Sequence, residues 1–191
     1  MSYFAHPTAV IDEGCKIGEG VKIWHFSHLM SGCVIGDNCN MGQNIFVASR
    51  VVLGKNVKVQ NNVSLYEGVL CEDDVFIGPS VVFTNIIHPR SPISRKNDYV
   101  KTIVHKGVTI GANATIICGI EIGEYAFIGA GAVVPKPVLP YALVAGNPAK
   151  QIGWVSEYGQ KLEFDDQGIA VCSESGQRYL LKENKVLKIN Q

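Results

Sequence analysis

Hydrophobic residues along this chain keep a beat of six. From Ile11 to Phe83, each sixth position carries an aliphatic or sulfur-bearing residue, or Phe83 itself: Ile11, Ile17, Ile23, Leu29, Ile35, Met41, Val47, Leu53, Val59, Leu65, Cys71, Ile77, Phe83. Four residues after most of them comes a small or β-branched partner, from Cys15 and Val21 to Val75 and Val81. A period of six fits neither the 3.6 residues of an α-helix nor the plain alternation of a strand. It predicts short strands that meet at turns and stack coil upon coil, a hexapeptide-repeat β-solenoid. Three hexads close one coil of eighteen residues with three flat faces. Ile17, Ile35, Leu53 and Cys71 should stack on a first face, Ile23, Met41, Val59 and Ile77 on a second, and Leu29, Val47, Leu65 and Phe83 on a third. Gly18, Gly36 and Gly54 follow the inward residues of the first face at intervals of eighteen. Glycine tolerates the positive φ that a sharp corner demands, which suits it to those positions.

The beat stops after Phe83 and resumes at Val104, Ile110, Ile116, Ile122, Ile128 and Val134. The gap from Phe83 to Val104 is twenty-one residues, not a multiple of six. A loop is therefore extruded over 84–103, carrying His88-Pro89-Arg90-Ser91-Pro92 and Arg95-Lys96-Asn97-Asp98. A polar insertion of this length inside a regular repeat is usually functional or disordered. Pro135, Pro137 and Pro140 are expected to end the repeat, because proline cannot donate to the next coil. The organisation predicted is a β-helix over 1–140 with its inserted loop, then an extension over 141–191. In that extension Ile169-Ala170-Val171-Cys172 and Tyr179-Leu180-Leu181 flank Ser173-Glu174-Ser175-Gly176, the pattern of a small β-hairpin. An all-β solenoid has no internal pocket, so its function must sit on an outer face, a loop or a seam between subunits.

Charge narrows the partners. Seventeen basic and seventeen acidic residues leave a net charge of zero, so no global field draws nucleic acid or an anionic membrane. No apolar run approaches the ~20 residues that span a bilayer, and the first residues lack the basic and apolar segments of a signal peptide. A cytoplasmic protein is expected. Cys15, Cys33, Cys39 and Cys71 fall on inward positions and no Cys-x-x-Cys pair occurs, so the thiols read as core fillers and no metal is expected.

The hexads resemble those of the left-handed parallel β-helix acyltransferases, and Val144-Ala145-Gly146-Asn147-Pro148-Ala149-Lys150 resembles the segment that ends the helix in that family. The left hand comes from the resemblance, and it runs against the usual crossover preference. Gln60-Asn61-Asn62-Val63-Ser64-Leu65-Tyr66-Glu67-Gly68-Val69, Phe83-Thr84-Asn85 and Pro89-Arg90 are similar to nucleotide-linked amino-sugar N-acetyltransferases. The subgroup indicated acetylates the 3-amino group of a UDP-linked 3-amino-2,3-dideoxy uronic acid sugar for surface polysaccharide (O-antigen) synthesis. The resemblance implies acetyl-CoA as co-substrate and a homotrimer with active sites at subunit interfaces. It also implies that Asn85 contacts the substrate amine. Many members carry Asp directly after that Asn, where this chain has Ile86. Cys172-Ser173-Glu174-Ser175-Gly176 lacks the second cysteine of a tail motif often found in the family.

Acyl transfer to a sugar amine needs a neutral amine, a donor for the oxyanion and a route for one proton. The leaving thiolate can take that proton, which favours a positioning residue such as Asn85 over a catalytic dyad. His88, in the loop, is the alternative base. Asn61, Asn62, Tyr66, Glu67 and Arg90 are the candidates to hold the nucleotide-sugar, Arg90 through its bidentate fork. The competing reading of Asn61-Asn62 is an amide stack at a corner, that of Arg90 a solvated charge, and that of Asn85 a turn former. Gly111, Gly129 and Gly131 are the candidates to pass the pantetheine arm, and Pro148 and Lys150 to meet the adenine and 3′-phosphate of CoA. His25 and His28 read as surface or corner residues, and His105 as a corner residue. The alternatives are a dTDP-linked 3-amino sugar as acceptor, a γ-type carbonic anhydrase, and a non-catalytic assembly module. The carbonic anhydrase would need three zinc-binding histidines including a close pair, and no His-x4-His occurs here. The assembly module would have no use for the loop.

Overall fold

A computed structural model describes residues 2–189; Met1 and the last two positions of the extension, Asn190 and Gln191, lie outside it. The described residues contain no helix. Three parallel sheets wrap a single core. The first face stacks Lys16–Ile17, Val34–Ile35, Val52–Leu53, Val69–Cys71, Thr102–Val104 and Glu121–Ile122. The second runs from Phe4–Ala5 to Phe127–Ile128, and the third from Val10–Ile11 to Val133–Val134. Ile17 pairs with Ile35, Ile35 with Leu53, and Leu53 with Cys71, as the interval of eighteen requires. Each strand is only two or three residues long, so stability comes from stacking. Every inward residue from Ile23 to Phe83 is buried, and so is every four-residue partner from Val21 to Val81.

The corners explain the rhythm of small and polar residues. A positive φ recurs at each sixth position from Gly14 to Ser80 and again from Gly107 to Gly131, taken by Gly, Asn, Asp, Ser, Arg and the aromatics Phe26 and Tyr125. It falls three residues after each inward residue, not one. The expectation for Gly18, Gly36 and Gly54 is thus corrected: they are needed because the next coil lies against them. A Cβ on Gly36 would sit 2.4 Å from the carbonyl oxygen of Gly54. Asparagine and aspartate fill many of the positive-φ positions because their short polar side chains tolerate that conformation.

Thr102–Val104 pairs with Val69–Cys71, so Val104 faces Cys71 across thirty-three residues, as Ile110 faces Ile77 and Ile116 faces Phe83, where neighbours before the loop are eighteen apart. Fifteen residues are therefore extruded, and the coil closes around them without losing its register.

The prolines do not stop the stack. Val138 lies beside Ile122, donating its N–H to Glu121 (3.0 Å) and accepting that of Gly123 (2.9 Å). Ala142–Ala145 adds a further parallel strand to Phe127–Ile128. Pro135, Pro137 and Pro140 occupy exposed positions around Val138, so the residue that must donate is not a proline. Lys150–Trp154 then turns back antiparallel on Ala142–Ala145.

The expected hairpin is present, formed by Ile169–Val171 and Arg178–Lys182, and a third strand, Lys185–Ile189, completes a small antiparallel sheet. That third strand hangs on a two-residue turn with positive φ at Glu183 and Asn184, which lacks the Asn-Gly or Asp-Gly signature of such turns. Tyr179 is fully buried and docks the sheet on the solenoid by packing edge-on against Tyr141, which stacks on Tyr125.

Candidate functional site

The three sheets meet at three edges, and the predicted site residues divide between two of them. The edge between the third and first faces carries the loop. Below the loop lies the corner containing Tyr66, Glu67 and Gly68. Asn85 closes the loop's stem by accepting the N–H of Val100 at 2.9 Å. The contact uses the backbone carbonyl and leaves the side-chain amide out of the stem. Thr84 Oγ1 accepts the N–H of Cys118 (2.9 Å), and Thr102 donates to the carbonyl of Gly68 (2.9 Å), so the stem is tied to the coils on both sides. A Cβ on Gly68 would stand 2.9 Å from the carbonyl oxygen of Val100, which is why glycine occupies the place where the chain re-enters.

Tyr66, Glu67, Asn85, His88 and Arg90 all belong to this edge, between the third and first faces. Glu67 is paired with Arg50 from the corner below. Tyr66 continues a ladder of rings up the third face, His28 on Phe46 and Phe46 on Tyr66, each with centroids 5.9 Å apart. His88 is exposed on the loop. Between 86 and 99 the loop folds on itself through a bridge from Arg90 to Ile93 and encloses a concavity of about 640 Å³. Arg90, Arg95 and Lys96 all line it.

Asn61 and Asn62 are not part of this group. They sit on the edge between the second and third faces, in line with Gly111, Gly129 and Gly131. There the corners are laced by backbone hydrogen bonds: Asn62 to Gln43, Ser80 to Asn61, Asn113 to Pro79 and Gly131 to Ala112, all 2.8–2.9 Å. Asn61 Oδ1 accepts the N–H of Gln43 (2.8 Å), and Asn44 Nδ2 donates to Asn62 Oδ1 (3.1 Å). The segment holding Pro148 and Lys150 caps the same region, since Ala149 donates to Val133 (2.7 Å) and Val133 to Gly146 (3.0 Å). The five residues predicted for CoA are thus continuous in space, while those predicted for the sugar are divided by the width of one face.

Three of the inward thiols, Cys33, Cys39 and Cys71, are held protonated. Burial pushes Cys71 and Cys33 up to about 12 and Cys39 up to about 11. All six cysteines are free. His25 packs at its corner, as the second of its two readings has it: it stacks on His6 with centroids 3.5 Å apart, and its buried Nδ1 has no partner among the described residues. His105 stands at the remaining edge between Glu72 (3.1 Å) and Glu121 (3.2 Å). Burial there opposes its protonation, but the hydrogen bonds to Glu121 and Glu72 outweigh it and the imidazole's pKa is raised. Among the described residues no group of three or more His, Cys, Asp or Glu is placed to hold a metal ion.

Arg95 lines the loop's concavity, though the sequence alone does not single it out as a candidate. Its Nη1 contacts Asp98 (3.2 Å), while its Nε is buried with no partner. Only the charge of the Arg95-Lys96 pair was legible beforehand, since burial of one guanidinium nitrogen depends on how the loop folds.

A solenoid with a groove-bearing loop and a glycine-lined edge belongs to the parallel β-helix class, whose comparison with known proteins is specific. The description "Bacterial transferase hexapeptide (six repeats)" matches residues 14–48 and 101–136, and "Hexapeptide repeat of succinyl-transferase" matches 32–67. A dTDP-3-amino-3,6-dideoxy-alpha-D-galactopyranose 3-N-acetyltransferase from Aneurinibacillus thermoaerophilus is 45% identical over 177 residues, covering 92% of this chain and 90% of that one. Among solved structures, a hexapeptide-repeat acetyltransferase from Vibrio cholerae, complexed with acetyl coenzyme A, superposes with a TM-score of 0.57 at 25% identity, covering 65% of this chain and 72% of its own. A galactoside acetyltransferase in complex with coenzyme A gives 0.58 at 25% identity, over 74% and 72%. The chain belongs to the hexapeptide-repeat acetyltransferases and has their left-handed parallel β-helix.

Proposed function

We propose that this protein transfers the acetyl group of acetyl-CoA to the 3-amino group of a dTDP-linked 3-amino-deoxy sugar. The observation that carries this reading is the 45% identity, over nine-tenths of both chains, to an enzyme named for that reaction on a dTDP-linked sugar. The same observation favours thymidine over the UDP-linked uronic acid expected from the sequence motifs, so the uridine-linked sugar becomes the competing arm of the test.

The chemistry follows from what the edges offer. The neutral amine attacks the thioester carbonyl and a C–N bond forms. The oxyanion of the tetrahedral intermediate is met by an N–H donor. Collapse breaks the C–S bond, and the CoA thiolate leaves with the proton that the amine gives up. Asn85 holds the amine at the loop's root, its side-chain amide free for that contact. His88 is the group that would relay the proton if the thiolate does not take it directly. Transfer through an acyl-enzyme on Cys33, Cys39 or Cys71 is disfavoured, because those thiols face the core with pKa values pushed up to about 11–12 and a thiol must ionise to attack.

The division of the site residues between two edges supports assembly around a seam. If copies of the chain pack so that the loop edge of one meets the glycine-bearing edge of the next, Tyr66, Asn85 and Arg90 come to face Asn61, Asn62 and the Gly111–Gly129–Gly131 track. A homotrimer achieves this with one repeated contact. The reading places the reaction in the cytoplasm, where acetyl-CoA and nucleotide sugars are made, and the product in surface polysaccharide synthesis. The experiment is acetyl-CoA consumption against a panel of dTDP- and UDP-linked 3-amino sugars. Preference for a dTDP-linked acceptor is the expected result, preference for the UDP-linked uronate would replace the acceptor assigned here, and no turnover of any member would overturn the reading.

A further inference from the structure

The net charge of the whole chain is zero, yet the loop over 84–103 holds Arg90, Arg95, Lys96 and Lys101 against a single carboxylate, Asp98. The loop is a built structure: its stem is closed at Asn85 and Val100, it bridges Arg90 to Ile93, and it turns at Asp98, whose N–H donates to Arg95 (2.9 Å). Ser91, Ser94 and Tyr99 line the same concavity as three of the cations. Within it, Arg95 is 37% exposed and spends only one of its guanidinium nitrogens on Asp98, and among the described residues its buried Nε has no acceptor. Buried donors in native proteins almost always have an acceptor, and an exception needs an explanation. Arginine beside hydroxyls and a second cation matches the geometry of a phosphate, which offers several oxygens to one fork.

We propose that this loop is a phosphate-binding clamp in which Arg95 is the anchor and Arg90 and Lys96 complete the charge. The occupant is the phosphate of one of the two substrates: the diphosphate of the nucleotide-sugar or the 3′-phosphate of CoA. The identity of those substrates rests on the function proposed above, but the clamp does not, because anion binding can be measured without turnover. Expected behaviour in calorimetry on the full chain is binding of inorganic pyrophosphate, weakened about tenfold or more by Arg95→Gln and less by Lys96→Gln. Lys96 is exposed and makes no ion pair among the described residues, so Lys96→Gln keeps the test open if Arg95→Gln fails to fold. Repeating the titrations with CoA against 3′-dephospho-CoA, and with dTDP against TMP, identifies the source: the member of one pair that carries the extra phosphate should lose affinity in the variants, and its partner should not. Absence of pyrophosphate binding by the folded wild-type chain, or affinities unchanged within about twofold in both variants, would overturn the proposal.

Discussion

Two edges of the solenoid treat polar side chains in opposite ways. On the edge through Asn44, Asn62, Asn113 and Gly131, the amides and corner N–H groups are taken up by the neighbouring coil: Asn61 by Gln43, Asn62 by Asn44, each corner by the one below. On the loop edge, fifteen extra residues interrupt that lacing, and the cations Arg90, Arg95 and Lys96 line a concavity that no neighbouring coil fills. A repeat satisfies its own polar groups because each coil presents to the next what the previous one presented to it. Where the repeat is interrupted, the groups left over are available to a ligand. The amides of Asn61 and Asn62, candidates for substrate binding by sequence, also staple one coil to the next on the laced edge.

The strongest way to break the comparison is to make the two edges alike. Excision of residues 85–99 restores the six-residue spacing between Phe83 and Val104. The shortened chain should keep a cooperative thermal transition while acetyl transfer falls by at least about a thousandfold, since it removes positioning altogether; retained activity would move the reaction centre away from the loop. A finer cut is Asn85→Ala. Loss of one positioning contact should lower kcat/KM by about a hundredfold with little change in the melting temperature, and an unchanged kcat/KM would remove Asn85 from the site.

The laced edge should answer in stability instead. A Cβ on Gly111 would lie 2.5 Å from the backbone nitrogen of Ala130, so Gly111→Ala should destabilise by about 1–3 kcal/mol in denaturant titration, as overpacking does. Asn62 has a φ of 62° and accepts a hydrogen bond from Asn44. Replacing it with alanine loses that bond and puts alanine in the left-handed region, costing about 1 kcal/mol. A rise in KM for the sugar in the same variant would show that this corner also serves the substrate.

The smallest effect concerns the remaining edge, where His105 staples three coils through Glu72 and Glu121. Its folded pKa is raised, so the protonated form stabilises the fold. That contribution is fully present below the ordinary histidine value of 6.5 and is lost as pH rises through the raised folded value. The melting-temperature difference between wild type and His105→Gln should therefore shrink as pH increases, and a difference independent of pH would rule the staple out.

Much of this fold was legible before any coordinates. The inward ladders, the three-face assignment, the extruded loop and the hairpin all follow from where apolar residues fall. The corners were read less well. Gly36 does not adopt the positive φ that its spacing suggests, because periodicity marks a special position without saying whether torsion or close approach makes it special. The prolines after Val134 read as an end, but the strand needs a donor only at Val138. The candidate site was legible in part. Asn85, His88 and Arg90 are on the loop as expected, whereas Asn61 and Asn62 share a sequence stretch with Tyr66 and Glu67 yet point from a different edge.

The sequence by itself determined which residues face the core and where the repeat breaks. Burial is decided locally: a hexad either presents an apolar side chain at its inward position or it does not. Only the tertiary structure decided which corners share an edge, which glycines lie against another coil, and that Arg95 keeps a buried nitrogen without a partner. Those are relations between residues eighteen or more apart, or within a folded loop. They depend on how coils stack and how the loop closes, which no local pattern of side chains encodes.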